Sequence, residues 1–488
     1  MIRFCKLFAL ITFAFLLCVA SSDQASANNK LPELPNFVII FVDDMGYNDI
    51  GPFGVKGIET PHLDQMAVEG MKFTDFQVSS AVCSASRAAL LTGCYNTRVG
   101  INGAIMPERK IGLHPDEVTL AELCKQKGYA TACFGKWHLG HYPQFMPNAQ
   151  GFDEYFGLPY SNDMWPYQPK PKDPDSGIHS HPFSNLPLYE NSKVVNDDVK
   201  PEDQAQLTTQ YTERAVNFIE RNHEKPFMLY VPHSMVHVPL YVSDKFKGKS
   251  ERGIYGDVVM EIDWSVGQIM KALKDNDVAD NTWVVFTSDN GPWLNYGDHA
   301  GLADPLREGK GTMYEGGCRV PTLMQWPGVI PPGSTCEQMV SSIDIFPTIA
   351  DRIGAEKPKN KIDGIDILPV LKDPKAKLDR KYFFHYYGNG ELHAVRDQRW
   401  KLHFEHQYRT LGGRPGGKNG IPAKYDYLNC EMALYDLEND IGETTNVLGD
   451  NPDVVARLEK AADVCRAELG DKYKKLKGDG VRPAGRVE

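Results

Sequence analysis

Five groups of polar residues in this 488-residue chain have the types and spacing to do chemistry. Asp43-Asp44 and Asp289-Asn290 each follow an apolar run and supply only oxygen ligands. Oxygen sets suit Ca²⁺ or Mg²⁺, whereas zinc recruits His and Cys. On residue type alone, the two pairs read equally well as strand-end turns. Cys83-Ser84-Ala85-Ser86-Arg87 heads a helical pattern. A thiol at a helix N-terminus has its pKa lowered by the helix dipole, and Arg87 falls one turn further along the same face. Cys83 is therefore a candidate nucleophile, with a buried small hydrophobe as the alternative. Lys136 and His138 close another apolar run, and His233 and His237 follow a fourth. Histidine is the side chain whose proton moves near neutral pH.

These residues need a scaffold that brings them to one place. Residues 37–42 form a short, continuous apolar run of the kind that buried parallel strands show. Similar runs at 130–135, 227–231 and 283–288 end in Lys136-Trp137-His138, in His233 and His237, and in Asp289-Asn290. Helical segments are expected between them, at 60–70, 84–93, 119–128, 204–222 and 256–275. This alternation predicts a mostly parallel α/β sheet with helices on both faces. Ligands of such sheets bind beyond the carboxyl ends of the strands. Four strands that end in ionisable or amide residues therefore point to one site.

Beyond Pro347 the texture changes to shorter β-type segments at 381–387, 392–395, 400–404 and 433–437. They predict a smaller antiparallel C-terminal subdomain that ends in a charged helix. The division read from the sequence is 1–27, 28–355 and 356–488. The glycine-rich stretch 410–420 reads as a mobile loop, and 166–187 as a long surface excursion.

Composition narrows the class. Lys and Arg total 53 against 64 Asp and Glu, so the chain lacks the basic footprint of a sequence-independent nucleic-acid binder. Arg3 and Lys6, the apolar run 7–20 and Ala25-Ser26-Ala27 have the layout of an export signal. No later run is long enough to span a membrane. The expected product is exported, to a periplasm or beyond. Eight cysteines follow the signal, and export permits disulfides without identifying pairs.

The Cys83–Arg87 motif and the Leu90-Leu91-Thr92-Gly93 run after it resemble the signature of the type I sulfatases, in the alkaline phosphatase superfamily. The resemblance extends to Phe41-Val42-Asp43-Asp44-Met45-Gly46-Tyr47 and Gly135-Lys136-Trp137-His138-Leu139-Gly140. Ser288-Asp289-Asn290-Gly291 and Gly309-Lys310-Gly311-Thr312 follow in family order. It implies that Cys83 is oxidised after translation to Cα-formylglycine by a maturation enzyme, and that a hydroxyl of its hydrate attacks sulfur. Asp43, Asp44, Asp289 and Asn290 would hold Ca²⁺, with Mg²⁺ as the alternative. Arg87 would orient the formylglycine, Lys136 and Lys310 would grip sulfate oxygens, and His237 would protonate the departing alcohol. His138 would contact the second hydroxyl and help to restore the aldehyde. Ser161 and His403 are weaker candidates for substrate contact. Ala85 stands where the commoner signature has Pro, which bears on the choice of maturation system.

The implied reaction is hydrolysis of a sulfate monoester, on a sulfated carbohydrate or an aryl sulfate, in the manner of arylsulfatase A and galactosamine-6-sulfatase types. A phosphomonoesterase or phosphodiesterase of the same superfamily would need several His and Asp ligands for two zinc ions, and no such histidine set accompanies Asp289. A non-catalytic glycan-binding protein is the reading if Cys83 is never modified. Substrate choice is expected in the loops 142–149, 163–195 and 408–426.

Overall fold

The computed structural model describes residues 34–167 and 183–488, which belong to one compact unit. The expected export signal and most of the 166–187 excursion lie outside the described residues. No helix among the described residues is long and apolar enough to cross a membrane.

A ten-stranded sheet organises the chain. Its centre is five parallel strands, in the order Thr282–Ser288, Asn36–Val42, Phe227–Pro232, Ala130–Phe134 and Glu154–Gly157. Antiparallel pairings at Thr322–Gln325 and Leu188–Glu190 make the flanks mixed. The central strands are buried throughout, which is why their sequences are continuous apolar runs rather than alternating ones. Val38, Ile40 and Val42 face a helical layer of Pro61–Glu69, Leu207–Asn222 and Gly253–Asp275. The alternate residue Phe41 faces the other way, with the Arg87 guanidinium 5.6 Å from its ring. Helix Cys83–Thr92 therefore belongs to the opposite layer.

Local signals place these helices well. Thr119 and Glu122 form a reciprocal capping box at Leu120–Lys125. Gly93, at φ 67°, ends the Cys83 helix in a left-handed turn that a residue with a Cβ resists. The helix begins at Cys83 itself, one residue earlier than its pattern predicts.

The C-terminal sheet is antiparallel as expected, in the order Phe383–Tyr387, Glu391–Arg396, Trp400–His403 and Ala433–Asp436. Helix Pro452–Leu469 packs Leu458, Ala462 and Leu469 against Leu392, Val395 and Leu402 of that sheet. One expectation changes. Residues 410–420 are not a free loop: Gly417 N donates to Asn295 O at 2.8 Å, and Asn419 N to Asp298 Oδ1 at 2.9 Å. All eight described cysteines are buried and unpaired, so no disulfide joins them.

Candidate active site

The strand register brings the two acidic pairs together. Val42 pairs with Ser288, so Asp43 and Asp289 leave adjacent parallel strands side by side. Asp289 N donates to Val42 O at 2.9 Å, and Asp44 N to Asp289 Oδ1 at 3.1 Å. Asn290 Nδ2 donates to Asp44 Oδ1 at 2.7 Å. Two orphaned atoms complete the picture: Asp43 Oδ1 and Asn290 Oδ1 are buried and accept no hydrogen bond from a described residue. Burial and the neighbouring Asp43 carboxylate push Asp289 up to about 7 despite Arg87. The two orphaned oxygens and the all-oxygen donor set fit a hard divalent cation.

Three side-chain cations converge on the same cluster. Arg87 donates to Asp43 Oδ2 and to Asp289 Oδ2, each at 2.9 Å. Lys310 Nζ donates to Asp44 Oδ2 at 2.8 Å, and Lys136 Nζ pairs with Asp43. Burial alone would raise the Asp43 carboxyl, but Lys136 and Arg87 outweigh it and hold it below the usual carboxylate range. Lys136 also donates to Ser161 Oγ at 3.0 Å.

Beyond the strand ends the backbone pairing continues and aims the next residues. Lys136 N donates to Pro232 O at 2.7 Å, and His138 N to Pro159 O at 3.1 Å. Asp44 and His138 both hold left-handed backbone, φ 61° and 60°. Such conformations cost non-glycine residues about 1–3 kcal/mol each and gather at functional sites. Gly135 has no room for a side chain, since a Cβ would stand 1.9 Å from Pro232 O. Gly135→Ala is expected to cost about 3 kcal/mol by overpacking. Urea denaturation measures this, and a loss below about 1 kcal/mol would mean the two strands separate freely here.

A cavity of about 170 Å³ opens onto this cluster. Cys83, His138, Ser161, His237 and Lys310 line it, together with Trp293 and Arg409. The structure thus gathers the sequence candidates with one exception. His403 is not among the lining residues; it is fully buried, with Nε2 2.9 Å from Glu443 Oε1 and its ring stacked on Tyr314. Of the two competing histidines, His237 faces the cavity, whereas His233 lies in the core 3.3 Å from Ser265 Oγ.

The thiol differs from its expectation. Burial pushes Cys83 up to about 11, past the opposing effects of Lys136 and Lys310. Desolvation outweighs the helix dipole because the side chain is 2% exposed. Burial also holds His138 and His237 below the usual histidine range, with Lys136 and Lys310 respectively adding to the effect. Their hydrogen bonds select tautomers. His138 Nε2 donates to Ile105 O at 3.1 Å, leaving a buried, unpartnered Nδ1. His237 Nδ1 donates to Val238 O at 2.6 Å, leaving Nε2 3.5 Å from Asp44 Oδ2.

Sequence patterns missed Trp293, Arg409 and Tyr387 as lining residues. Lys310 Nζ sits 4.2 Å from the Trp293 ring centroid, and Arg409 Nη2 donates to Lys310 O at 2.6 Å. Two of the three loops expected to set substrate choice reach the cavity, through Asp163 and Arg409; 142–149 contributes no lining residue. No motif marks these positions.

Comparisons with known proteins identify the family. The family described as Sulfatase matches residues 35–355, and the C-terminal region of aryl-sulfatase matches 378–481. The chain is 39% identical to arylsulfatase A of Bos taurus over 86% of this chain and 85% of that protein. It is 40% identical to human N-acetylgalactosamine-6-sulfatase over 76% and 72%. Among solved structures, it resembles the PsFucS1 sulfatase from Pseudoalteromonas sp. with TM-score 0.80, at 26% identity over 93% and 92% of the two chains. It also resembles Ps i-CgsB in complex with k-i-k-neocarrahexaose, with TM-score 0.73 and 30% identity over 88% and 92%. A sheet-edge acidic cluster, three buried cations and a Cys-headed helix thus occur in a chain that belongs to the sulfatase family and hydrolyses sulfuric esters.

Proposed function

We propose that this chain is an exported sulfatase that removes sulfate from a carbohydrate, using a formylglycine made from Cys83 and a divalent cation, Ca²⁺ in first place. One observation carries the reading: Cys83, His138, His237 and Lys310 line a single cavity directly over Asp43, Asp44, Asp289 and Asn290. The raised Cys83 pKa supports modification, because an unmodified thiol would stay protonated and weakly nucleophilic at neutral pH. Export rests on the signal-like pattern of residues 1–27.

When bound, the cation polarises sulfate oxygens as a Lewis acid, and the formylglycine hydrate offers a hydroxyl as nucleophile. The protein's own residues do the rest. Lys136 and Lys310 turn from their carboxylate partners to the equatorial sulfate oxygens and balance the charge that builds there. Arg87, locked between Asp43 and Asp289, keeps the carboxylates in register and its charge beside position 83. His138 Nδ1, unpartnered in the cavity that position 83 also lines, accepts a hydroxyl proton. His237, held in place by its Nδ1–H bond to Val238 O, hands a proton to the departing alcohol from Nε2 once it has taken up a second proton there, a state that the Asp44 carboxylate favours and that Lys310 opposes less once it turns to the sulfate. Trp293 and Tyr387 give the cavity aromatic walls suited to a sugar face, and Arg409 adds a cation at the rim. That Ps i-CgsB binds an oligosaccharide supports a carbohydrate substrate here.

The test begins with the mass of the Cys83 peptide and the hydrolysis of an aryl sulfate by the same preparation. Conversion of thiol to aldehyde together with released sulfate is expected, followed by turnover of one member of a sulfated-sugar panel. An unmodified, inactive protein from a host with maturation machinery would favour the glycan-binding alternative. Removing Ca²⁺ by chelation is expected to abolish turnover and lower Tm. Restoring Ca²⁺ to 100 times its Kd should return about 2.7 kcal/mol of stability. Asp289→Asn should flatten that Ca²⁺ dependence in a thermal titration; an unchanged titration would move the cation site elsewhere.

A further inference from the structure

A second set of metal-ligating side chains lies in the C-terminal sheet region, and none of its members lines the catalytic cavity. His403 ends strand Trp400–His403, His406 opens His406–Thr410, and Cys430 closes Asp426–Cys430, which pairs with that last strand. Each offers one ligand atom within 4.8 Å of the others, and all three are buried. His406 faces Cys430 directly across the two-stranded ribbon.

The hydrogen bonds of the two histidines have the form that metal ligands require. His403 Nε2 is engaged by the Glu443 carboxylate at 2.9 Å, and His406 Nδ1 donates to Phe404 O at 2.7 Å. A ligating histidine typically uses its other ring nitrogen in this way, on a carboxylate or a backbone carbonyl, which fixes the tautomer and leaves the ligand nitrogen bare. The remaining nitrogens, His403 Nδ1 and His406 Nε2, have no hydrogen-bond partner, although the two side chains are 0% and 2% exposed. Leaving two imidazole nitrogens dry and unpaired is costly, and a packed interior seldom tolerates it without a ligand. A third ring, His393, stacks on His406 with centroids 3.9 Å apart, and its Nδ1 is also unpartnered.

We propose that His403, His406 and Cys430 bind a zinc ion, with a water as the fourth ligand. The two-nitrogen, one-sulfur set excludes the hard cations of the catalytic cluster and matches zinc in ligand type and number. A ligating histidine is neutral, and the bond from His406 Nδ1 to Phe404 O fixes the tautomer that leaves Nε2 bare. Binding replaces the Cys430 thiol proton, which leaves to solvent, and frees Sγ from its contact with Glu431 O at 3.2 Å. The ion would tie the ribbon to the C-terminal sheet, and so anchor Arg409, which lies on the ribbon strand and lines the cavity.

The experiment uses the full chain produced in zinc-supplemented medium and passed through gel filtration in excess Ca²⁺, which keeps the catalytic cluster filled with calcium. About one zinc per chain is expected by elemental analysis, by one-ion-per-site stoichiometry. Cys430→Ser and His406→Gln should each reduce retained zinc at least tenfold, whereas Asp289→Asn should retain it in full. Cobalt loaded in place of zinc into the unmutated chain should show thiolate-to-metal absorption, a readout that needs no variant to fold. Calcium-rich protein free of zinc, or cobalt without the thiolate band, overturns the proposal. So does zinc retention equal in Cys430→Ser and the unmutated chain. None of these results depends on whether Cys83 is matured or sulfate is released.

Discussion

Cys83→Ala is expected to lower kcat/KM on an aryl sulfate by about four orders of magnitude or more, the scale on which removing a covalent nucleophile acts. No other group in the cavity is placed to take over. Ser161, a lining hydroxyl, already accepts from Lys136, and Lys310 is held as a cation by Asp44. The folded state should hardly notice the change. Cys83 is a small side chain at the start of its helix, and trimming Sγ removes one buried atom, a cost of about 1 kcal/mol. Steady-state kinetics and thermal unfolding on the same sample separate the two effects. Activity within tenfold of the unmutated chain would remove position 83 from the chemistry.

The second large effect is on stability, at Arg396. This side chain, at the end of strand Glu391–Arg396, is 1% exposed. It donates to both Asp75 oxygens, at 3.1 and 2.6 Å, and to Glu315 Oε2 at 2.9 Å. Lys401 donates to the other Glu315 oxygen at 2.8 Å. Arg396→Met would leave two buried carboxylates short of a partner, and a loss of about 3–5 kcal/mol in urea denaturation is expected. Adding Asp75→Asn should recover part of it, because the neutral amide no longer needs the lost charge.

The pH dependence has a definite sign. Burial raises Glu315, but Arg396 and Lys401 more than offset it, and its carboxyl lies well below the usual range of about 4.5. A depressed carboxylate contributes stability above its unfolded pKa and loses it as the pH falls through the folded value. The gap between Arg396→Met and the unmutated chain should therefore be full at neutral pH and close in acid below the ordinary glutamate range. A gap that is flat from neutral to acid pH would mean that Arg396 acts by packing alone. Because Glu315 lies five residues after Lys310, the variant should also lower kcat.

What could be read without coordinates was the chemistry at strand ends. A buried parallel strand is a continuous apolar run, and an open sheet delivers whatever follows such runs to one edge. That regularity places Asp43-Asp44, Lys136, His138, His237 and Asp289-Asn290 together before any distance is known. The Cys83 helix and its glycine stop are equally local, since capping and left-handed turns depend on a few neighbouring residues. The antiparallel C-terminal sheet was visible for the same reason.

Burial and long-range pairing decided the rest. The dipole argument for Cys83 was sound locally and lost to desolvation, which depends on what seals the site and not on the helix. His403 carries the same local signal as a pocket residue, yet Glu443 and Tyr314 hold it in the core. Residues 410–420 read as mobile from their glycines, until Asn295 and Asp298, more than a hundred residues earlier, supply their hydrogen bonds. The roles of Arg409, Trp293, Arg396 and the His403–His406–Cys430 group have the same origin. Local sequence determined which chemistry the strand ends could offer, because secondary structure is a short-range property. Tertiary structure alone decided which of those groups are dry, paired and within reach of one another, because solvent exclusion and charge pairing join residues that the chain keeps far apart.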